Sequence, residues 1–223
     1  MCSSDLATAV GTDLFYASAT KTGGTLAHGV NRTIDWRLVA LLAAGSVPMT
    51  VITLFAISQF DLKSAAAQSL TNMLLGGVLL LSALAIALRQ RVLEIYAQWV
   101  ERLSPHRISM LTIALGGVLG VLVSLTSVGA GALGVTALLL LYPRMPTVRI
   151  VGSDIAHAVP LTLIAGVGHW FLGTIDWALL GSLLIGSLPG IFVGSNISVR
   201  VPETVLRLTL AGMLVILGTR MLV

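Results

Sequence analysis

The chain has 223 residues, of which 56% are hydrophobic and 10% are charged, and its mean hydropathy is +0.98. Soluble domains carry about 25% charged residues, so this composition excludes an ordinary soluble protein and indicates an integral membrane protein. The net charge of +4 fits basic loops on one side of a membrane better than nucleic acid binding. A single cysteine, Cys2, excludes an intrachain disulfide and a cysteine metal cluster.

Apolar segments of helical length follow one another along the chain. We expect helices at 7–30, 36–58, 65–88, 108–125, 132–142, 150–171, 177–197 and 205–222. A backbone in lipid must satisfy its own hydrogen bonds, and runs of this length favour helices over barrel strands. The segment 132–142 is too short to cross about 30 Å of hydrocarbon, and it follows the glycine-rich stretch 126–131. The sequence therefore predicts an all-α, polytopic transmembrane bundle that contains a broken or re-entrant glycine-rich helix.

The two halves of the chain repeat the same motifs. A shift of 141 residues places 10–13 on 151–154, 33–36 on 174–177 and 45–48 on 186–189, with 14 identities over the 39 positions from 10 to 48. So many identities without a gap exceed what two merely apolar segments would share. The protein is therefore predicted to be built from a duplicated unit.

The basic residues predict how the repeats lie in the membrane. If residues 89–107 form a basic cytoplasmic connector, ten of the thirteen lysines and arginines fall on the cytoplasmic side. The equivalent turns before Trp36 and Trp177 then face opposite sides, so the repeats are inverted. We expect a first repeat at 7–88 and a complete second repeat at 108–223. The first lacks the glycine-rich entry of the second, which predicts an N-terminally truncated chain.

The order of these motifs resembles the sulfite exporter TauE/SafE family. The resemblance rests on the glycine-rich stretch 126–131, the short apolar run after it, the motifs at 151–154, 173–177 and 186–190, and the closing segment 206–222. It covers the second half and, more weakly, positions 9–88. The resemblance implies a multi-pass transporter of the bacterial inner membrane that moves sulfur-containing or organic anions such as sulfite, sulfonates or sulfoacetate.

The glycine-rich break is the first candidate substrate site. A half-helix that starts at a break presents free amides and a positive dipole end to an anion, and neighbouring hydroxyls add donors. These substrate-binding candidates are Thr126, Ser127, Gly129 and Gly131, together with Lys21 and His157 deeper in the membrane. The alternatives are that the small residues serve helix packing and that Lys21 only forms an interhelical ion pair with Asp13 or Asp154.

Four further ionisable residues are candidates for coupling transport to protons. Asp154, His157 and His169 share one face of a helix, and the equivalent helix carries a similar stripe with Asp13 and His28. Ionisable groups within a membrane are costly and are functional candidates by default. We therefore list Asp13, Asp154, His28 and His169 as coupling residues, against the alternative that they cap or anchor helix ends at the interface.

The function predicted from these features is secondary transport of a small anion. A proton-coupled carrier of another substrate, including a cation, and a non-transporting structural subunit are the alternatives. An enzyme is not expected, because no His-x-x-Glu-His or Gly-x-Ser-x-Gly motif occurs and the ionisable residues are spread in depth. No cofactor, metal site or nucleic acid partner is expected. The expected partners are the lipid bilayer and the anion, and a homo-oligomer is left open.

Overall fold

The computed structural model describes residues 6–59, 65–100, 103–129, 131–198 and 203–222. Within these ranges the chain forms helices and no strand. The helices are α1 (Leu6–Val30), α2 (Trp36–Ser58), α3 (Ala65–Val100), α4 (Pro105–Thr126), α5 (Ala132–Leu141), α6 (Thr147–Phe171), α7 (Trp177–Ser198) and α8 (Glu203–Leu222). The predicted all-α fold is confirmed.

Several of these helices are suited to a membrane. Among the described residues, four are long and apolar enough to cross one, namely α2, the part of α3 from Ser69 to Leu88, α4 and α6. Helix α1 is as long as α6, with 25 residues each, but carries Asp13 and Lys21 within its length. Such helices suit a bilayer, because each helix pairs its own backbone N–H and C=O groups where lipid offers no hydrogen-bond partner.

Helices α1 and α6 pack against each other, and the end of each lies near the start of the other, so they run antiparallel. After α1 ends, the amide of Asp35 donates to the hydroxyl of Ser153 near the start of α6, at 2.8 Å. After α6 ends, the amide of Asp176 donates to the hydroxyl of Thr12 near the start of α1, at 3.0 Å. The two bonds join equivalent positions of the two halves. In each case, a side-chain hydroxyl of one half accepts a hydrogen bond from the turn of the other half.

The two turns that follow α1 and α6 are also built alike. Asp35 accepts hydrogen bonds from the amides of Arg37 and Leu38 at 3.1 and 3.2 Å, and so caps α2. Asp176 accepts from the amides two and three residues further along, at 3.0 and 2.9 Å, and caps α7. Aspartate is among the residues preferred at this position, because its side-chain oxygens accept from the free amides of the first turn.

Helix α3 is longer than the sequence suggested. Its 36 residues extend to Val100, so that residues 89–100, expected as part of a connector, continue the helix. At 1.5 Å per residue the helix is roughly 54 Å long, well beyond the about 30 Å of a hydrocarbon core. Its end therefore projects from the membrane. The division of the chain into two repeats joined by this connector stays a prediction.

The antiparallel arrangement of α1 and α6 leads to a prediction about sidedness. Arg32 and Gly173 are equivalent, exposed turn residues, and both have positive φ, at 52° and 70°. Cysteines placed there in a Cys2→Ser background should react with a membrane-impermeant maleimide from opposite sides of the membrane. Both should react once the membrane is permeabilised, which serves as the control. Labelling of both from the same side would contradict inverted repeats.

The close packing of α2 on α4 gives a second prediction, about stability. A Cβ on Gly116 would collide with the carbonyl oxygen of Leu42 and lie 2.9 Å from its carbonyl carbon, whereas a Cβ on Gly77 in α3 meets nothing within 4 Å. Because backbone cannot move aside cheaply, we expect Gly116→Ala to destabilise the protein by about 1–3 kcal/mol. Gly77→Ala, the matched control, should be neutral or slightly stabilising. Thermal unfolding in detergent measures both, and equal melting temperatures would contradict the packing argument.

Candidate functional site

The break between α4 and α5 begins the candidate site. Helix α4 stops at Thr126, and Ser127 follows in the left-handed conformation with φ 57°. Gly129 and Gly131 have φ of 123° and 128°, values that side chains rarely allow. Helix α5 has only 10 residues, roughly 15 Å, so it cannot cross the membrane. The predicted interruption lies at these residues.

Two hydroxyls hold the break in place. The Thr126 hydroxyl donates to the carbonyl of Leu122 at 2.6 Å and accepts from the amide of Val128 at 3.2 Å. The Ser127 hydroxyl donates to Oδ2 of Asp13 on α1 at 2.7 Å. Thr126 therefore stabilises the backbone at the break, and Ser127 connects the break to α1 through a hydrogen bond. An anion would receive the Ser127 proton only after this bond to Asp13 opens.

On the opposite side of the break, α6 contributes two buried polar residues. Asp154 is 2% exposed and His157 is fully buried. Oδ1 of Asp154 lies 2.5 Å from the point where a Cβ on Gly134 would stand, so the carboxyl group rests on the first turn of α5. Among the described residues, neither this oxygen nor Nδ1 of His157 has a hydrogen-bond partner.

Lys21 of α1 joins these groups into one cluster. Its ammonium interacts electrostatically with the carboxyl groups of Asp154 and Asp13, and also with His157. The cluster thus holds one ammonium and two carboxyl groups, with Asp154 against the first turn of α5 and Asp13 bonded to Ser127 at the break. Charged groups within a membrane protein are placed where they can pair or face a wet cavity. We call these residues, with Ser127, the central cluster.

The two remaining coupling candidates, His28 and His169, lie at the ends of α1 and α6, outside the central cluster. Nδ1 of His28 is 2.7 Å from the Thr33 hydroxyl, and Nδ1 of His169 is 2.9 Å from the Thr174 hydroxyl. Nε2 of His169 is 3.0 Å from the carbonyl oxygen of Ser124, which can only accept. These histidines therefore stabilise the two turns through contacts with threonine hydroxyls. Their role in proton coupling stays a prediction.

Some polar residues of this region were not expected from the sequence. Ser46 of α2 is completely buried, with its hydroxyl 2.8 Å from Nε2 of His157. Thr12 and Ser153 bind the turns of the opposite half, as described above. The duplication could have identified these residues from the sequence. Ser46 lies in a Gly-Ser-x-Pro motif that occurs in both repeats, and Thr12 and Ser153 occupy equivalent positions of the two repeats.

A bundle of apolar helices with a charged cluster and a helix break in its interior defines a polytopic membrane transporter. Residues 2–221 match the family described as "Sulfite exporter TauE/SafE". The chain therefore belongs to the TauE/SafE family of membrane transporters, and it is not an enzyme. The resemblance seen in the sequence is confirmed.

Two proteins of Bacillus subtilis (strain 168) are similar to this chain. It is 34% identical to "Probable membrane transporter protein YjnA" over 222 residues, which cover 96% of this chain and 84% of the relative. It is 26% identical to "Probable membrane transporter protein YdhB" over 205 residues, covering 90% and 78% of the two chains. No solved structure matches the chain. The relatives agree with a multi-pass protein of the cell membrane.

Proposed function

We propose that this protein is a secondary transporter that exports a small sulfur-containing or organic anion, such as sulfite, a sulfonate or sulfoacetate, across the bacterial inner membrane. The observation that carries the proposal is Lys21, a partly buried cation that interacts with two carboxyl groups, one of which, that of Asp154, lies against the first turn of the short helix α5. An ammonium group and a helix N-terminus within one site offer an anion both charge and amide donors. The family description, which names sulfite export, supports the choice of substrate.

The net charge of the central cluster depends on whether its carboxyl groups are protonated, and this determines whether an anion can bind. With both aspartates ionised, one ammonium and two carboxylates give a net charge of −1, which repels an anion. A proton on one carboxyl group removes this repulsion, so the anion and a proton bind together. We therefore propose that the anion and a proton move together, so that export is driven by the outward concentration gradient of the anion.

The hydrogen bonds of the two aspartates indicate which of them takes the proton. Asp13 accepts a hydrogen bond from the Ser127 hydroxyl at 2.7 Å, so one of its carboxyl oxygens already has a donor. Oδ1 of Asp154 has no donor among the described residues. In the proposed cycle Asp13 stays charged and pairs with Lys21, while Asp154 gains and loses the proton. His157 and Lys21 then face the anion.

Inverted repeats would give such a site access to both sides of the membrane. Transporters of this architecture bind substrate near the midplane, where broken helices of the two repeats meet, and expose the site to each side in turn. The antiparallel pair α1 and α6, with equivalent hydrogen bonds at both ends, supports this arrangement. The break at Gly129 and Gly131 supports a site beside α5.

A flux measurement tests the proposed function directly. The purified protein in liposomes is screened against sulfite, sulfate, taurine, sulfoacetate and thiosulfate, each with and without a pH gradient. We expect flux of at least one sulfur-containing anion, with accumulation that follows the gradient. Flux of a cation in place of every anion would favour the alternative carrier, and accumulation that ignores the gradient would contradict proton coupling.

A further inference from the structure

Ser46 links the central cluster to helix α2. Its side chain is completely buried, and the one hydrogen bond that its hydroxyl makes among the described residues joins it to Nε2 of His157 at 2.8 Å. Its backbone is held by α4, because a Cβ on Gly120 would lie 2.6 Å from the carbonyl oxygen of Ser46 and 3.0 Å from its Cα. The position of this hydroxyl is therefore fixed by the packing of α2 on α4.

This contact decides which nitrogen of His157 carries the proton. A hydroxyl has one proton to donate, and a buried O–H without an acceptor costs about 1–3 kcal/mol. The arrangement that satisfies Ser46 has its O–H donating to Nε2 of His157. In a neutral imidazole one ring nitrogen accepts and the other donates. In the arrangement that satisfies Ser46, the proton of the neutral ring is therefore on Nδ1.

The Nδ1–H group of His157 is thus a donor held within the central cluster. It is buried and has no acceptor among the described residues, while the nearby Lys21 ammonium supplies positive charge. A fixed N–H donor beside a cation is the combination that recognises an oxygen of an oxyanion. A ring protonated on Nε2 would present Nδ1 as an acceptor and repel the same oxygen.

We infer that Ser46 is a positioning residue that holds His157 in the Nδ1–H tautomer, so that this N–H donates a hydrogen bond to an oxygen of the transported oxyanion. The inference rests on the proposed function for its substrate, but the tautomer itself does not depend on transport. Ser46 acts through His157 and does not bind the anion. Replacing Ser46 should therefore change the affinity for the substrate rather than the rate of the transport cycle.

The first test reads the tautomer by nitrogen NMR of the protein labelled with ¹⁵N-histidine. A His157→Gln variant identifies the signals of His157 by their loss. We expect a neutral imidazole with the proton on Nδ1 in the unchanged protein, and a shift toward the Nε2–H form in Ser46→Ala. An Nε2–H tautomer in the unchanged protein, or the same Nδ1–H spectrum in Ser46→Ala, would overturn the role of Ser46.

The second test measures sulfite uptake into liposomes by the same variants. We expect Ser46→Ala to raise KM roughly 5- to 10-fold, the effect of about one hydrogen bond, with the maximal rate changed less than about 2-fold. Ser46→Thr, which keeps the hydroxyl, should restore KM. Ser187→Ala is the matched control, because this equivalent hydroxyl donates to the carbonyl of Leu184 in its own helix, at 3.3 Å, and it should leave KM unchanged.

The two tests separate the ways in which the inference fails. An unchanged KM in Ser46→Ala, with the expected tautomer shift, would show that Nδ1–H does not bind the anion. An equal loss of maximal rate in Ser46→Ala and Ser46→Thr would assign Ser46 to packing alone. Absence of sulfite flux by the unchanged protein would count against the proposed function, whereas the NMR spectrum of that protein still decides whether Ser46 sets the tautomer.

Discussion

Replacing Lys21 by methionine should reduce sulfite transport by roughly 100-fold or more. Methionine keeps the length of the side chain but removes the only cation that interacts with Asp13 and Asp154 in the described part of the cluster. Removing the charged partner of a bound ion costs about 2–5 kcal/mol of binding free energy, and each 1.4 kcal/mol corresponds to about tenfold in affinity. Initial uptake rates in liposomes, at equal protein content, measure the effect.

The matched control for Lys21→Met is the double variant with Asp154→Asn. This change removes one negative charge together with the positive charge, so the cluster keeps its net charge and the protein should regain stability. Transport should remain lost, because the anion still has no cation to bind. Recovery of transport in the double variant would show that Lys21 serves only to neutralise Asp154, which is the structural alternative considered from the sequence.

The second large effect should come from Asp154→Asn alone. Asparagine has the same shape as a protonated aspartic acid but cannot release or bind a proton. Exchange of labelled for unlabelled sulfite should therefore continue, while accumulation driven by a pH gradient should fall to the level seen without a gradient. Counterflow and gradient-driven uptake in the same vesicles measure the two activities.

Asp13→Asn is the control that separates the two aspartates. Asp13 accepts the bond from Ser127 and, in the proposed cycle, pairs with Lys21, so its loss should lower stability and substrate affinity but leave a response to the pH gradient. If Asp13→Asn abolished that response and Asp154→Asn retained it, the two assignments would have to be exchanged. Loss of exchange in both variants would mean that neither carboxyl group acts as a separate proton carrier.

Helix positions could be predicted from the sequence because apolar length and glycine placement determine them locally. The predicted segments 36–58 and 177–197 agree with α2 and α7 to within a residue. The end of α3 was missed because residues 89–100 contain charges such as Arg89, Arg91 and Glu94, which were assigned to a connector. Arginine, glutamine and glutamate are good helix formers, so the helix continues after the apolar pattern ends.

The central cluster could be predicted only in part. Helical periodicity placed Asp154 and His157 on one face, and this required no knowledge of the fold. The bond between His157 and Ser46 joins residues 111 positions apart, so no local pattern indicates it. The contacts by which His28 and His169 stabilise the turns could have been predicted locally, because a threonine follows each histidine by five residues.

The hydrogen bond between the Asp35 amide and the Ser153 hydroxyl has a consequence for how the protein is made. Its two partners are 118 positions apart, so the turn after α1 stays incomplete until the start of α6 has left the ribosome. At about 5–20 residues per second, this delay lasts roughly 6–24 s. During that time the first half waits in the bilayer without its partner. The first half is therefore inserted before its turn is complete, and the turn closes only when α6 packs against α1.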